Sequence, residues 1–204
     1  MLYWIDLFGV FVFAVSGALA ADRRGMDLFG FVVIALLPAI GGGTVRDIVL
    51  GAPVFWVEDT VYLWVIGAAA LLTFVAAPML QRVGRLLLWA DAIGLSVFCV
   101  AGAAKSYALT GSMEVAVVMG VVTAVLGGII RDVVCNEIPL ILRQDIYATA
   151  AFAGALTYVV CHVVGLPTEP SLWACAAVCF LIRASALLWG WSLPTRKAAD
   201  DDGG

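Results

Sequence analysis

The sequence is short of charge. Only 13% of its 204 residues are Asp, Glu, Lys or Arg, against about 25% in an ordinary soluble domain. Hydrophobic residues make up 64% and the mean hydropathy is +1.07, so the chain is built for a lipid bilayer. The net charge of −4 means little as an average, because the charges sit in clusters. Histidine is almost missing: His162 stands alone near the end of an apolar run. An intramembrane protease would need HExxH or paired aspartates on facing helices, and His162 has no partner at such spacing. The five cysteines form no CxxC or Cys/His pattern, and Cys175 and Cys179, on one helical face, read as small packing residues. A disulfide framework or zinc site is therefore not expected. The last apolar run carries Arg183 but no lysine, which removes the retinal anchor of a light-driven pigment. No catalytic residue, metal, cofactor or nucleic-acid partner is expected.

Apolar length is what the chain has in quantity. About 20 apolar residues cross the hydrocarbon core, and seven stretches qualify: 4–21, 27–50, 60–80, 88–108, 113–135, 145–164 and 171–191. The first lacks a basic leader and opens on Asp6, so it reads as a retained helix and not a signal peptide. Arg23, Arg24, Arg82, Arg85 and Arg143 lie in alternate connections, and Arg196 and Lys197 follow the seventh stretch. The other connections hold Glu58, Asp59, Glu114 and Glu169, with no lysine or arginine. Positive charge stays cytoplasmic, which places the N-terminus outside and the C-terminus inside a bacterial or archaeal plasma membrane.

The chain repeats itself. "GGTVRD" from Gly42 matches "GGIIRD" from Gly127, an offset of 85. The same offset carries Asp6 to Asp91, Gly9 to Gly94, Phe13 to Phe98 and Gly17 to Gly102, while Pro53 to Pro139 and Asp59 to Asp145 need 86. The expected organisation is a first three-helix repeat (1–87), a second (88–166), a seventh helix (167–192) and a solvated tail (193–204). Because three crossings reverse direction, the second copy enters from the opposite side. The fold expected is an all-α membrane protein with two inverted three-helix repeats plus a seventh helix, a plan common to permeation and transport proteins.

Within the second and fifth spans the residues argue against a plain helix. Pro38 lacks an N–H and crowds the carbonyl of Ile34. Gly41, Gly42 and Gly43 add freedom, and the second copy keeps Gly127 and Gly128. Thr123 stands where Pro38 does, and a threonine can bend a helix by bonding to the i−4 carbonyl. A break in span 2 and a gentler bend in span 5 are expected, with close glycine packing as the competing reading. Thr44, Arg46, Asp47 and their counterparts Arg131 and Asp132 follow one turn later. Intramembrane charge normally faces a partner or water, and adjacent helical residues do not face each other. Arg46 is therefore expected to pair with Asp6 or Asp59, and Arg131 with Asp91 or Asp145, against a competing reading in which both snorkel to headgroups. Lys105 has no charged counterpart in the first copy, where Ala20 stands. It is either a snorkelling lysine or a pore charge. Thr44, Arg46, Asp47, Lys105, Thr123, Arg131 and Asp132 are the candidate pore and gating groups. Val45 and Ile130 are apolar neighbours able to close a path by dewetting.

The doubled "GG–x–x–RD" with a downstream proline, after an "FAVSGALAA" first helix, resembles the trimeric intracellular cation (TRIC) channel family in its prokaryotic form. The resemblance covers residues 3–192. It implies seven helices, a homotrimer in membrane lipid with a pore in each protomer beside the kinked second and fifth spans, and conduction of potassium and sodium. It also implies a voltage-linked lysine on the fourth span, where Lys105 sits. The lysine–glutamate lipid motif of eukaryotic members is absent. Related bacterial proteins with the same duplication are described as small neutral amino acid (glycine) transporters, which is the alternative reading.

Overall fold

The structure, a computed structural model, describes residues 2–80, 85–143 and 146–192; Arg82, Asp145, Arg196, Lys197 and the tail 193–204 lie outside the described residues. Among the described residues eight helices follow one another: α1 (Leu2–Arg23), α2 (Leu28–Val49), the one-turn α3 (Phe55–Glu58), α4 (Val61–Leu80), α5 (Leu86–Thr110), α6 (Met113–Val134), α7 (Ala148–Val163) and α8 (Thr168–Trp189), with a 3-10 turn at Leu140–Leu142. All but α3 and α7 are long and apolar enough to cross a membrane. The expected sixth span corresponds to α7, whose 16 residues reach about 24 Å at 1.5 Å per residue.

Start signals repeat as the spans do. Asp27 caps α2 by accepting from the Gly30 N–H at 2.8 Å, and Ser112, 85 residues on, caps α6 by accepting from Val115 N–H at 3.2 Å. Such caps satisfy donors that would otherwise be orphaned at a helix start. Each set of three packs on itself, α1 with α2 and α4, then α5 with α6 and α7, while α8 lies on α5 and α7. The two sets meet through α1 against α5 and α2 against α6. Phe13 and Phe98 stack at that seam, ring centroids 5.1 Å apart and planes 17° from parallel.

The expected break in span 2 is not there. Residues 38–43 are helical, and α2 runs unbroken through Pro38; α6 likewise runs unbroken through Gly127 and Gly128. In a bilayer, opening a turn orphans several backbone groups, whereas one proline forfeits a single ladder bond. The expected back-bond from Thr123 is also absent, since its buried hydroxyl has no hydrogen-bond partner.

The glycines serve contact instead. A Cβ on Gly42 would lie 2.1 Å from the Thr123 carbonyl oxygen, and one on Gly127 would lie 2.5 Å from that of Pro38. Gly17 faces the Ile34 carbonyl at 2.2 Å and Gly102 that of Met119 at 2.7 Å by the same measure. Both members of each pair sit at the 85-residue offset. Helix backbones touch at all four places, which only glycine permits.

Candidate functional site: two buried arginine clusters

Arg46 ends α2 and Arg131 ends α6, and both are almost fully buried, at 1% and 0% exposure. Neither snorkels. Arg46 donates through Nε to Oδ1 of its own neighbour Asp47 at 2.8 Å, and Arg131 does the same to Asp132 at 2.9 Å. The expectation that adjacent residues cannot pair is thus corrected. The Cβ atoms diverge, but the arginine stem is long enough to fold its head back along the helix.

What holds each aspartate is the chain returning over the helix end. Phe55 N–H donates to Asp47 Oδ2 at 3.1 Å, and Leu140 N–H donates to Asp132 Oδ2 at 3.0 Å. Phe55 to Leu140 is again 85 residues, so the register expected to slip by one at Pro53 and Pro139 is kept here. Gly51 and Asn136, also at that offset, take positive φ of 64° and 52°, a conformation glycine and asparagine tolerate.

The clusters then diverge. In the first, the Lys105 ammonium reaches Asp47 Oδ1 at 2.9 Å, while Asp6 accepts from Tyr62 Oη at 3.1 Å. Arg46 does not pair with Asp6 or with Asp59, because Asp59 is taken by Tyr3 Oη at 2.8 Å and the Val61 N–H at 2.9 Å. In the second cluster, Arg131 Nη1 meets Asp91 Oδ1 at 2.8 Å and also donates to Ser16 Oγ of α1. Tyr147, equivalent to Tyr62, stands beside Asp91 against Gly128, and the Arg183 guanidinium lies 5.0 Å from its ring centroid. Buried Arg183 donates to the Ile146 carbonyl at 3.3 Å.

Thr44 is tied down separately. Its hydroxyl donates to the Ile40 carbonyl at 2.7 Å and accepts from Trp56 Nε1 at 2.9 Å. Thr123 lies at the α2–α6 crossing, its carbonyl against Gly42. Tyr62 and Tyr147 were absent from the expected set although the 85-residue offset pairs them. Ser16 left no such signal, since its counterpart is Ala101. All five cysteines are buried and free. On the loop side, Glu137 joins Arg24 and Arg143, each at 3.0 Å. Burial pushes the Glu137 carboxyl up, but hydrogen bonds and charge from Arg143 and Arg24 outweigh it and hold it below the usual glutamate range.

Comparisons with known proteins agree with this architecture. A family model described as "Glycine transporter" matches residues 3–78 and 88–163. A UPF0126 membrane protein of Vibrio cholerae is 46% identical over 96% of this chain and 82% of its own. The UPF0126 inner membrane protein YadS of Escherichia coli is 41% identical over 100% of this chain and 99% of its own. Among solved structures, the TRIC trimeric intracellular cation channel orthologue from Rhodobacter sphaeroides is 45% identical, covers 93% of this chain and 98% of its own, and superposes with a TM-score of 0.90. On sequence and fold together, the chain is an integral membrane protein of the UPF0126 group and belongs to the TRIC family as a prokaryotic member.

Proposed function

We propose that the protein is a monovalent cation channel, conducting potassium and sodium through a path beside α2 and α6 in each protomer of a homotrimer. The observation that carries this is the pair of buried Arg–Asp clusters at the ends of two helices that cross backbone to backbone. Burying ions costs several kcal/mol each even after relaxation, and a merely structural bundle has no need of such charges. The Rhodobacter relative is described as a trimeric cation channel, and its identity to this chain supports the same role here. The double match of one family model at 3–78 and 88–163 and the reciprocal glycine contacts support the inverted duplication. With α7 counted, the chain then crosses seven times, N-terminus outside and C-terminus inside.

In this reading the closed point is the α2–α6 crossing. Ile130 Cδ1 lies within 2.6 Å of where a Gly41 Cβ would be, so an apolar side chain fills the space beside the crossing. Pro38 leaves α2 one ladder bond short there and is the joint about which the helix moves. Glu58, Glu114 and Glu169, all exposed, concentrate cations at the outer mouth, more strongly at low salt. Lys105 and Asp47 form the charged threshold beneath it.

Reconstitution in planar bilayers under a KCl gradient tests the assignment. Unitary currents that reverse near the potassium equilibrium potential are the expected result. Saturable glycine uptake with no unitary current would replace the channel by the transporter that the family model's description names.

A further inference from the structure

The seam between α5 and α8 is open along one side. Steps of four residues align Arg85, Trp89, Ile93 and Val97 on one face at the start of α5, since residues so spaced stack above one another on a helix. The antiparallel α8 lies beside them: Arg85 donates to the Leu187 carbonyl, and the Trp89 and Phe180 rings stand 6.3 Å apart. Further along, Ile93, Ser96, Val97, Trp173, Ala177 and Phe180 line a cavity of about 320 Å³. It runs on into a second, of about 360 Å³, which shares Val97, Trp173 and Ala176 with it and reaches Trp4 of α1. The groove is apolar throughout, because Ser96 spends its hydroxyl on the Ile93 carbonyl at 2.7 Å.

We propose that this groove holds one acyl chain of an anionic phospholipid, with the lipid phosphate on Arg85. Arg85 immediately precedes α5, so its guanidinium stands where the span leaves the hydrocarbon. The stacked and exposed Trp189 and Trp191, just past Leu187, mark the same level, as interfacial tryptophans do. From Arg85 to Val97 is twelve residues, about 18 Å at 1.5 Å per residue. One leaflet is about 15 Å deep, half of the 30 Å hydrocarbon core. A chain whose phosphate rests on Arg85 therefore ends beside Val97 and Trp173, and the second cavity leaves room for a longer one. Among the described residues Arg85 meets no carboxylate and its one bond is to a carbonyl, so most of its five donors are left for a phosphate. A neutral chain would leave that charge unanswered, and a soluble anion would leave the apolar lining empty. An anionic lipid answers both ends of the groove.

The site does not depend on conduction, and binding is read without a current. The test is native mass spectrometry of the purified full chain, stripped of lipid in detergent and titrated with phosphatidylglycerol or phosphatidylethanolamine of identical chains. One tightly held phosphatidylglycerol per protomer is expected, retained about fivefold better than phosphatidylethanolamine, the worth of one basic residue at an anionic headgroup. Arg85→Gln erases that preference. Ala177→Trp, made at an exposed position of the groove, lowers retention of both lipids at least about tenfold, whereas Leu72→Ala, exposed on α4, changes neither. Monodisperse elution and melting confirm that each variant is folded; should Arg85→Gln fail, Ala177→Trp still decides. The proposal is overturned by equal retention of the two lipids in the native chain, by a preference that survives Arg85→Gln, or by full retention in Ala177→Trp. A smaller oligomer in Ala177→Trp overturns it too, because the groove would then belong to a second copy of the chain.

Discussion

Removing either arginine should not cost the same, although the two occupy equivalent positions. Replacing Arg131 by methionine leaves Asp91 and Asp132, at 0% and 6% exposure, without the guanidinium that bonds both. Breaking a buried ion pair from one side costs about 3–5 kcal/mol, because the remaining charge is orphaned. Arg46→Met leaves Asp47 with the Lys105 ammonium at 2.9 Å and the Phe55 N–H at 3.1 Å, so a cost of about 1–2 kcal/mol is expected, close to that of one charged hydrogen bond. A chain of this size shifts about 2–4 °C in Tm per kcal/mol. Arg131→Met should therefore lower Tm by about 6–20 °C and Arg46→Met by about 2–8 °C, followed by tryptophan fluorescence in detergent.

The reasoning has a sharper form as a double-mutant cycle. If Lys105 is the standby cation for Asp47, Lys105→Met is mild alone, yet Arg46→Met with Lys105→Met should cost as much as Arg131→Met. A coupling of at least about 1 kcal/mol beyond additivity is expected for residues that share one partner. Asp91→Asn added to Arg131→Met should return part of the loss by removing one orphan. Equal costs for the two arginine variants, or strict additivity of Arg46→Met and Lys105→Met, would refute the argument that the clusters differ in charge redundancy.

Glycine contacts give a second test: Gly42→Ala places Cβ 2.1 Å from a carbonyl oxygen and should cost more than the usual 1–3 kcal/mol of overpacking. Gly67→Ala, with nothing within 4 Å, should stabilise by about 0.5–1 kcal/mol through helix propensity, and a melting series separates the two. Glu137 gives a pH dependence. Its folded pKa is lowered, so its contribution is present above the unfolded value of about 4.3 and is lost as pH falls through the folded value. Partial exposure limits it to about 0.5 kcal/mol, and the hydrogen-exchange protection factors of residues 136–143, corrected for the intrinsic rate at each pH, should fall as pH drops through the folded value in the native chain but not in Glu137→Gln. Thr44→Val removes the acceptor of Trp56 Nε1; about 1 kcal/mol of stability should go with it, and the same loss should appear in Trp56→Phe without adding to it.

The helices were legible because apolar length marks a crossing, and six of the seven expected stretches are helices long enough to span; in the sequence itself one offset links Asp6 to Asp91, Gly42 to Gly127 and Arg46 to Arg131. The use made of Pro38 and its glycines was not legible. A glycine run has the same spelling whether it opens a helix or lets a second helix touch it, and only the neighbour decides. Here the neighbour is Thr123, whose carbonyl leaves no room for a Cβ on Gly42. Pairing within Arg46–Asp47 was hidden for a related reason: helical spacing describes where Cβ atoms point, not where a flexible arginine head ends. The difference between the clusters was written at two positions, Ser16 against Ala101 and Ala20 against Lys105. Each exchange moves a polar group across the α1–α5 contact, α1 supplying Ser16 to the second cluster and α5 supplying Lys105 to the first. Each cluster is therefore finished by a residue from a helix other than its own, Ser16 of α1 on Arg131 and Lys105 of α5 on Asp47, so the α1–α5 contact ties the two clusters to one another.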